Sequence, residues 1–298
     1  MSLIIVTGAG GEPEYEEAFA GWIENWQKAA AAGNAKCTTI GLAAPEADSL
    51  ARLRTALEAE PADGAIPLWI VLLGHGSADS ADAKFNLRGD DLAAPELANL
   101  LKRFARPVVV IGTFSASGAF LGPLAAPNRV VLTATKGGAE NNFSRLGQHL
   151  SASIADLTAD VDHDGQTSLL EAWLAAAQRT ADFYKSEGRL ATEHSLLDDN
   201  GDGRGTPADW FRGTRAVKKA ADSASADGTR AHGMHLVATR AEQNLAPELL
   251  TRRTALETEL AALREQKGAL AEDDYFTKLE AVLLELARLR REINGAKR

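Results

Sequence analysis

The chain has 298 residues, 45% hydrophobic and 24% charged, enough to bury one large core or two smaller ones. Its net charge of −9 excludes sequence-independent attraction to nucleic acid or to an anionic membrane surface. A single cysteine, Cys37, excludes an internal disulfide and a thiolate metal cluster.

Strands are expected at 3–7, 36–41, 66–73, 107–112 and 129–135, with amphipathic helical patterns between and after them at about 14–32, 46–60, 92–104 and 141–156. This alternation predicts an α/β fold, a mainly parallel sheet with helices on both faces. The continuous apolar runs 68–73 and 107–111 fit strands buried on both sides, and Cys37, in the second strand, is expected to be a small buried side chain. Thr7-Gly8-Ala9-Gly10-Gly11-Glu12 follows the first strand, but lacks the spacing and the Lys-Ser/Thr of a phosphate loop, so it is expected to be a tight strand-to-helix turn. No apolar run reaches the roughly 18–20 residues that span a bilayer. Met1-Ser2 leads straight into the first strand, which predicts a cytoplasmic chain as written; a periplasmic or secreted protein with its signal removed starts the same way, and the compartment stays open.

After residue 156 the texture changes. A helix is expected at about 168–190, between two acidic loops, and His194 is expected to be an exposed helical histidine. The polar stretch Asp222–Thr229 is expected to be a linker and His232–Val237 a short edge strand. His232 and His235 share one face of that strand, with no third metal ligand evident. From Pro247 onward, Leu249, Leu256 and Leu263, then Phe276, Leu279, Leu283, Leu286 and Ile293, predict an antiparallel αα-hairpin. Packing within the hairpin, or an arm for self-association or a partner at 245–293, both accommodate that seam. The expected organisation is an α/β core at 1–156, a calcium-binding region at 157–240 and a helical hairpin at 241–298.

Calcium takes six to eight oxygens, which one loop supplies by alternating ligands around a sharp turn. The first acidic loop places Asp160, Asp162 and Asp164 at positions 1, 3 and 5, Gly165 at 6, the Gln166 carbonyl at 7, Ser168 at 9 and Glu171 at 12. This is the EF-hand spacing at every diagnostic position, with Thr167 where an aliphatic residue is usual. The second offers Asp198, Asn200, Asp202, Gly203, the Arg204 carbonyl, Thr206 and Asp209 at the same positions. Asp209 is shorter than glutamate, and Gly205 and Pro207 break the usual exit helix. Two Ca2+ sites are expected, the first with the fuller pattern.

Two buried-strand patterns each end in reactive chemistry: one in Gly74-His75-Gly76, the other in Ser115-Ala116-Ser117-Gly118. In an open α/β sheet, that edge is where ligands sit. This order, with Phe85–Leu92 between and Val130–Thr135 and Glu140 beyond, resembles the caspase-like cysteine peptidases, including legumain and its bacterial relatives, over about residues 2–150. The resemblance implies a polypeptide substrate or peptide ligand, His75 as general base or orienting imidazole, and Ser115 in the position of a nucleophilic cysteine. It also implies an oxyanion hole from the backbone N–H groups of Gly76 and Ser115. A serine hydroxyl needs an aligned base where a thiol ionises with modest help, and no acidic partner for His75 is identifiable. Three readings of Ser115 follow: a natural pseudopeptidase that keeps the fold for binding, a cysteine replaced to silence a peptidase, or a true serine nucleophile.

Overall fold

A computed structural model describes residues 1–42, 48–79, 82–223, 225–239, 246–268 and 270–295. Residues 46–47 of the expected second helix, and Ala224, Leu245 and Ala269 within other expected segments, lie outside the described residues. The chain divides into two units, Met1–Val237 and Ala238–Arg298.

In the first unit, strands β1 (Ser2–Thr7), β2 (Lys36–Ile40), β3 (Leu68–Leu73), β7 (Val108–Thr113) and β8 (Arg129–Thr133) are parallel. Three short strands, β4 (Gly76–Ala78), β5 (Ala83–Phe85) and β6 (Leu92–Ala93), form a separate antiparallel ribbon after β3. The main sheet runs β2-β1-β3-β7-β8 and is extended by antiparallel β9 (Leu196–Asp198) and β10 (Thr206–Pro207). Successive strand side chains point to opposite faces, and both faces are covered. Leu3, Ile5, Trp69, Val71, Val109 and Ile111 pack with helices α1 (Pro13–Ala32), α5 (Leu146–Ser153) and α6 (Leu169–Ser186). Ile4, Val6, Leu68, Ile70, Leu72, Val108 and Val110 pack with α2 (Ser49–Glu58), α3 (Ala94–Leu101) and α4 (Leu121–Leu124). That is why these strands are continuously apolar in sequence.

Pro13 opens α1 and Pro95 lies in the first turn of α3, where a missing N–H costs nothing. The Asp48 carboxylate caps α2 by accepting from the Ala51 N–H at 2.8 Å.

Several expectations change. Cys37 is exposed, because β2 is the edge strand and its outward residues are uncovered. His232–Val237 is no strand. Helix α7 (Thr229–His232) ends at Gly233, and the Met234 carbonyl accepts the Leu169 N–H at 2.8 Å, pinning the segment as a loop against α6. His194 lies in an irregular segment between α6 and β9, not in a helix.

The second unit is a hairpin of α8 (Pro247–Glu265) and α9 (Glu272–Gly295). Among the described side chains of α9, Tyr275, Val282 and Leu289 are buried, whereas Phe276 and Leu283 are exposed. Leu279, Leu286 and Ile293 are half-buried, so the seam runs Tyr275, Leu279, Val282, Leu286, Leu289, Ile293 with alternating four- and three-residue steps. The register differs from the expected one because Phe276 and Leu283 sit one residue off it.

Ile111 is fully buried opposite Val71 on the central strand pair. Ile111→Ala is expected to destabilise the first unit by about 2–5 kcal/mol, read as a lower urea midpoint; a loss below about 1 kcal/mol would contradict a close-packed sheet centre.

Candidate functional site: a histidine–serine cleft and two acidic loops

The chain leaves β1 for β2 on one side and returns to β3 on the other, so the strand order reverses between β1 and β3. Crevices form at the carboxyl ends of strands at such a point. His75 lies two residues beyond β3, and Ser115 two residues beyond β7, its parallel neighbour in the register Leu73↔Thr113. The two reactive side chains therefore leave one sheet edge from adjacent strands.

Ser115 is 3% exposed. Its Oγ accepts the Gly76 N–H at 3.1 Å and donates to the Gly76 carbonyl at 3.1 Å. Both hydroxyl bonds thus go to one backbone residue, and the imidazole of His75 is in neither. Gly76 has to be glycine: a Cβ there would stand 2.4 Å from the Phe114 ring and 2.4 Å from the Ser115 carbonyl. Ala116 follows in the left-handed region, φ 63°, a strained choice for alanine. Its N–H donates to the Glu140 carbonyl at 2.7 Å. The fully buried Ser117 accepts the N–H groups of Ala134 and Thr135 at 3.0 and 3.2 Å, which locks the turn onto the exit of β8.

His75 is enclosed by rings. Tyr15, Phe19 and Phe143 lie 4.9, 5.5 and 5.8 Å from it, centroid to centroid. Burial holds its pKa below the usual value of 6.5, opposed by a hydrogen bond with the Gly10 backbone. Its aromatic surroundings favour the neutral imidazole. Beside it, Tyr15, Phe143, Arg145, Phe183, Arg189 and Thr192 line a cavity of about 590 Å³. The Arg145 guanidinium stacks on Phe183 at 4.2 Å.

The first acidic loop connects a 3-10 turn at Leu157–Ala159 to α6. Asp160 accepts the N–H groups of Asp164 and Gly165 at 3.2 and 2.9 Å, and Asp164 accepts that of Gln166 at 2.9 Å. Glu171 reaches back across the loop. Its Oε1 accepts Val161 N–H at 2.8 Å and Asp162 N–H at 3.3 Å, and its Oε2 accepts Ser168 Oγ–H at 2.8 Å. Ser168 and Glu171 also form the capping box of α6. Positions 4 and 6, His163 and Gly165, have φ of 59° and 88°. His232, from α7, places Nε2 3.0 Å from Asp162 Oδ2.

The second loop has closely similar internal bonds on a different support, between β9 and β10, with position 4 in place of position 5 among the donors to its first aspartate. Asp198 accepts the N–H groups of Gly201 and Gly203, both at 2.8 Å, and Asp202 accepts that of Arg204 at 2.8 Å. Gly201 and Gly203, again positions 4 and 6, have φ of 82° and 75°. The counterpart of Glu171 is not Asp209, which is exposed in a 3-10 turn. It is Asp227. Its Oδ1 accepts Asp199 N–H at 3.0 Å and Asn200 N–H at 3.2 Å, and its Oδ2 accepts Thr206 Oγ–H at 2.5 Å. These are positions 2, 3 and 9, the three that Glu171 binds. Asp227 lies inside the stretch expected to be a linker; the short side chain of Asp209 and the helix-breaking Gly205 and Pro207 were the sequence signals that Asp209 would not match Glu171.

The donors of the two loops fit a hard cation: carboxylates, a side-chain amide, hydroxyls and backbone carbonyls, with the His232 imidazole as a nitrogen neighbour beside Asp162 and Glu171. The carboxylates of Asp164 and Asp198 are held above their usual range by burial first. Asp227 is pushed up to about 7 by burial and by the charges of Asp199 and Asp198. A cation among them would reverse that direction.

The segment before β9 was missed almost entirely by sequence reasoning. The buried carboxylate of Glu193 accepts Ser144 Oγ–H at 2.7 Å, Arg145 N–H at 2.8 Å, Leu146 N–H at 3.2 Å and Tyr184 Oη–H at 3.1 Å, capping α5 from a distant stretch of chain. The Glu140 carboxylate accepts Lys136 N–H at 2.9 Å and His194 N–H at 3.1 Å, and meets His194 Nδ1 at 2.5 Å. Among the described residues no helix is long and apolar enough to cross a membrane.

No family model and no curated protein matches the chain. Among solved structures it is similar to protein GSU0716 from Geobacter sulfurreducens, at 16% identity and a TM-score of 0.41 over 60% of this chain and 88% of that one. It is also similar to the Drosophila initiator caspase Dronc, at 14% identity and 0.42 over 68% and 81%. A third likeness is to caspase-1 from Spodoptera frugiperda, at 13% and 0.42 over 67% and 86%.

Because burial disfavours charged His75, the unfolded chain takes up the proton first as pH falls through 6.5. Stability drops from there down to the folded-state value and then levels off. His149, lowered by burial and by Arg179 and Arg145, acts in the same direction. His75→Gln is therefore expected to shrink the fall in urea midpoint between about pH 7.5 and about pH 5. An unchanged pH profile would rule out a buried neutral imidazole.

Proposed function

We propose that this chain is a calcium-binding member of the caspase/legumain-like peptidase group whose cleft, with serine in the nucleophile position, holds a polypeptide without cutting it. The observation that carries the silent cleft is the pairing of Ser115 Oγ with both polar atoms of Gly76. A serine nucleophile gives its proton to a base as it attacks. Here that proton goes to a carbonyl, which cannot take it, and the Gly76 N–H that would steady an oxyanion is occupied by the hydroxyl itself. The ring-lined His75, the shared sheet edge and the adjoining cavity support a binding cleft for an extended peptide.

Calcium is the cation this reading assigns to the loops. Asp160, Asp162, Asp164, the Gln166 carbonyl, Ser168 and Glu171 hold the first ion. Asp198, Asn200, Asp202, the Arg204 carbonyl, Thr206 and Asp227 hold the second. What supports it is that both loops bond position 6 to position 1, 7 to 5, and positions 2, 3 and 9 to one cross-loop carboxylate, on two different supports. Calcium's charge would relieve the mutual repulsion of the carboxylates and tie loop to scaffold; it takes no part in chemistry at Ser115. The apolar side chains of Phe276, Leu283 and Leu284, outside the hairpin seam, support the second unit as an arm for self-association or a partner.

A fluorogenic peptide library with calcium tests the cleft. The chain as written is expected to bind peptides without turnover, and Ser115→Cys to cleave some of them. Turnover by the chain as written, abolished by Ser115→Ala, would replace the silent cleft with a serine mechanism. Peptide binding by neither form would remove the cleft altogether.

Calorimetry tests the loops. Two calcium ions are expected per chain, with thermal stability rising by about 2.7 kcal/mol at a hundredfold excess over Kd for each site. Asp227→Asn is expected to lose the second ion and Asp209→Asn to keep it. Loss in the Asp209 variant with retention in the Asp227 variant would return the ligand to Asp209, and EDTA without effect on stability would end the calcium reading.

A further inference from the structure

Three consecutive residues join the acidic loops to the cleft, each through a different bond. Glu193 caps α5 and fixes Ser144–Leu146; Phe143, the preceding residue, packs on His75. His194 binds Glu140 through both its backbone N–H and its ring, and the Glu140 carbonyl receives the N–H of Ala116, the strained residue after Ser115. Ser195 accepts the Trp173 Nε1–H at 3.0 Å, and Trp173 lies fully buried in α6, the helix that begins at Ser168 and Glu171 of the first loop. One residue later β9 begins, and its last residue, Asp198, is the first ligand position of the second loop.

We propose that Glu193-His194-Ser195 is the positioning clasp of the cleft, and that filling the two loops with calcium reaches His75 and Ser115 through it. The clasp deepens the reading above and rests on it, by naming how the ions act on the cleft. Both loops adjoin elements that meet at this one segment: α6 leads out of the first and β9 leads into the second. From it, two separate bonds run to the two sides of the cleft: Glu193 to the wall beside His75, His194 through Glu140 to the turn beneath Ser115. The burial of Glu193 and its four donors make it the fixed end. His194, 48% exposed at its side chain, is the end that can be changed without disturbing the core. Glu140, Glu193 and His194 touch no reacting atom; they are positioning residues.

The test uses the full chain with 15N-labelled histidine, titrated with calcium while the His75 imidazole resonances are followed. His75→Gln provides the assignment, and calorimetry follows calcium binding separately. In the unaltered chain the His75 resonances are expected to shift in step with calcium occupancy. In His194→Ala and Glu140→Gln that shift is expected to vanish while both ions still bind and the circular dichroism is unchanged. His194→Gln, which keeps a donor towards Glu140, is expected to restore part of it. Glu193→Gln, which replaces an acceptor oxygen by a donor, is expected to lose it as well. The clasp is overturned if calcium binds and His75 does not respond, or if the response survives in every variant. If no calcium binds, the calcium reading falls and the clasp with it.

Discussion

The cleft depends on the register of β3 against β7. The two strands pair in parallel with Leu73 opposite Thr113, so chain positions two residues further on, His75 and Ser115, emerge side by side. Both strands are buried on both faces, and a slip of one residue would send every side chain to the wrong helix layer. Two separate cores, one on each face, therefore hold the alignment, and the reactive pair inherits that rigidity. The partners of the pair come from elsewhere: Tyr15 and Phe19 from α1, Phe143 from the approach to α5, and Gly76 from the ribbon that follows β3.

The two acidic loops show that a bonding plan can outlast its usual support. In the first, a helix begins where the loop ends, and one glutamate serves as helix cap and cross-loop acceptor at once. In the second, the loop ends in a strand, and no helix follows to carry the acceptor back. A carboxylate from a later segment occupies the same place and receives the same three donors. The loop's own geometry, with left-handed backbone at positions 4 and 6 and side chains that cap their own turns, is the conserved part of the arrangement within this chain.

Legibility in the sequence followed the range of the interaction. Burial on two faces leaves a continuous apolar run, so Leu68–Leu73 and Val108–Thr113 were readable, as was the pairing of His75 with Ser115 at one edge. The acidic loops were readable because their carboxylate, amide and hydroxyl side chains recur at fixed places within twelve residues. Glu193 was not, because a lone glutamate before a short strand carries no sign that it will cap a helix begun 47 residues earlier. Asp227 hid in a stretch of small polar residues that resembles a linker until its partners are known. Cys37 misled because an edge strand and an inner strand differ in their neighbours, not in their composition. In α9, Phe276 and Leu283 outweigh Tyr275 and Val282 in apolar character, yet the partner helix selects the latter pair.

The antiparallel pair β9 and β10 also decides how the sheet ends. A parallel sheet that stopped at β8 would present a row of unpaired backbone groups, an open template for a strand from another molecule. Instead β9 covers Val131–Thr133, and β10 closes it with two residues, the second being Pro207. Proline has no N–H to offer, and a two-residue strand gives an incoming chain almost nothing to align with. The segment that carries the second acidic loop therefore doubles as a lid on this flank. That flank gives an incoming strand little to pair with, whereas on the opposite flank Lys36 and Cys37 of β2 are exposed.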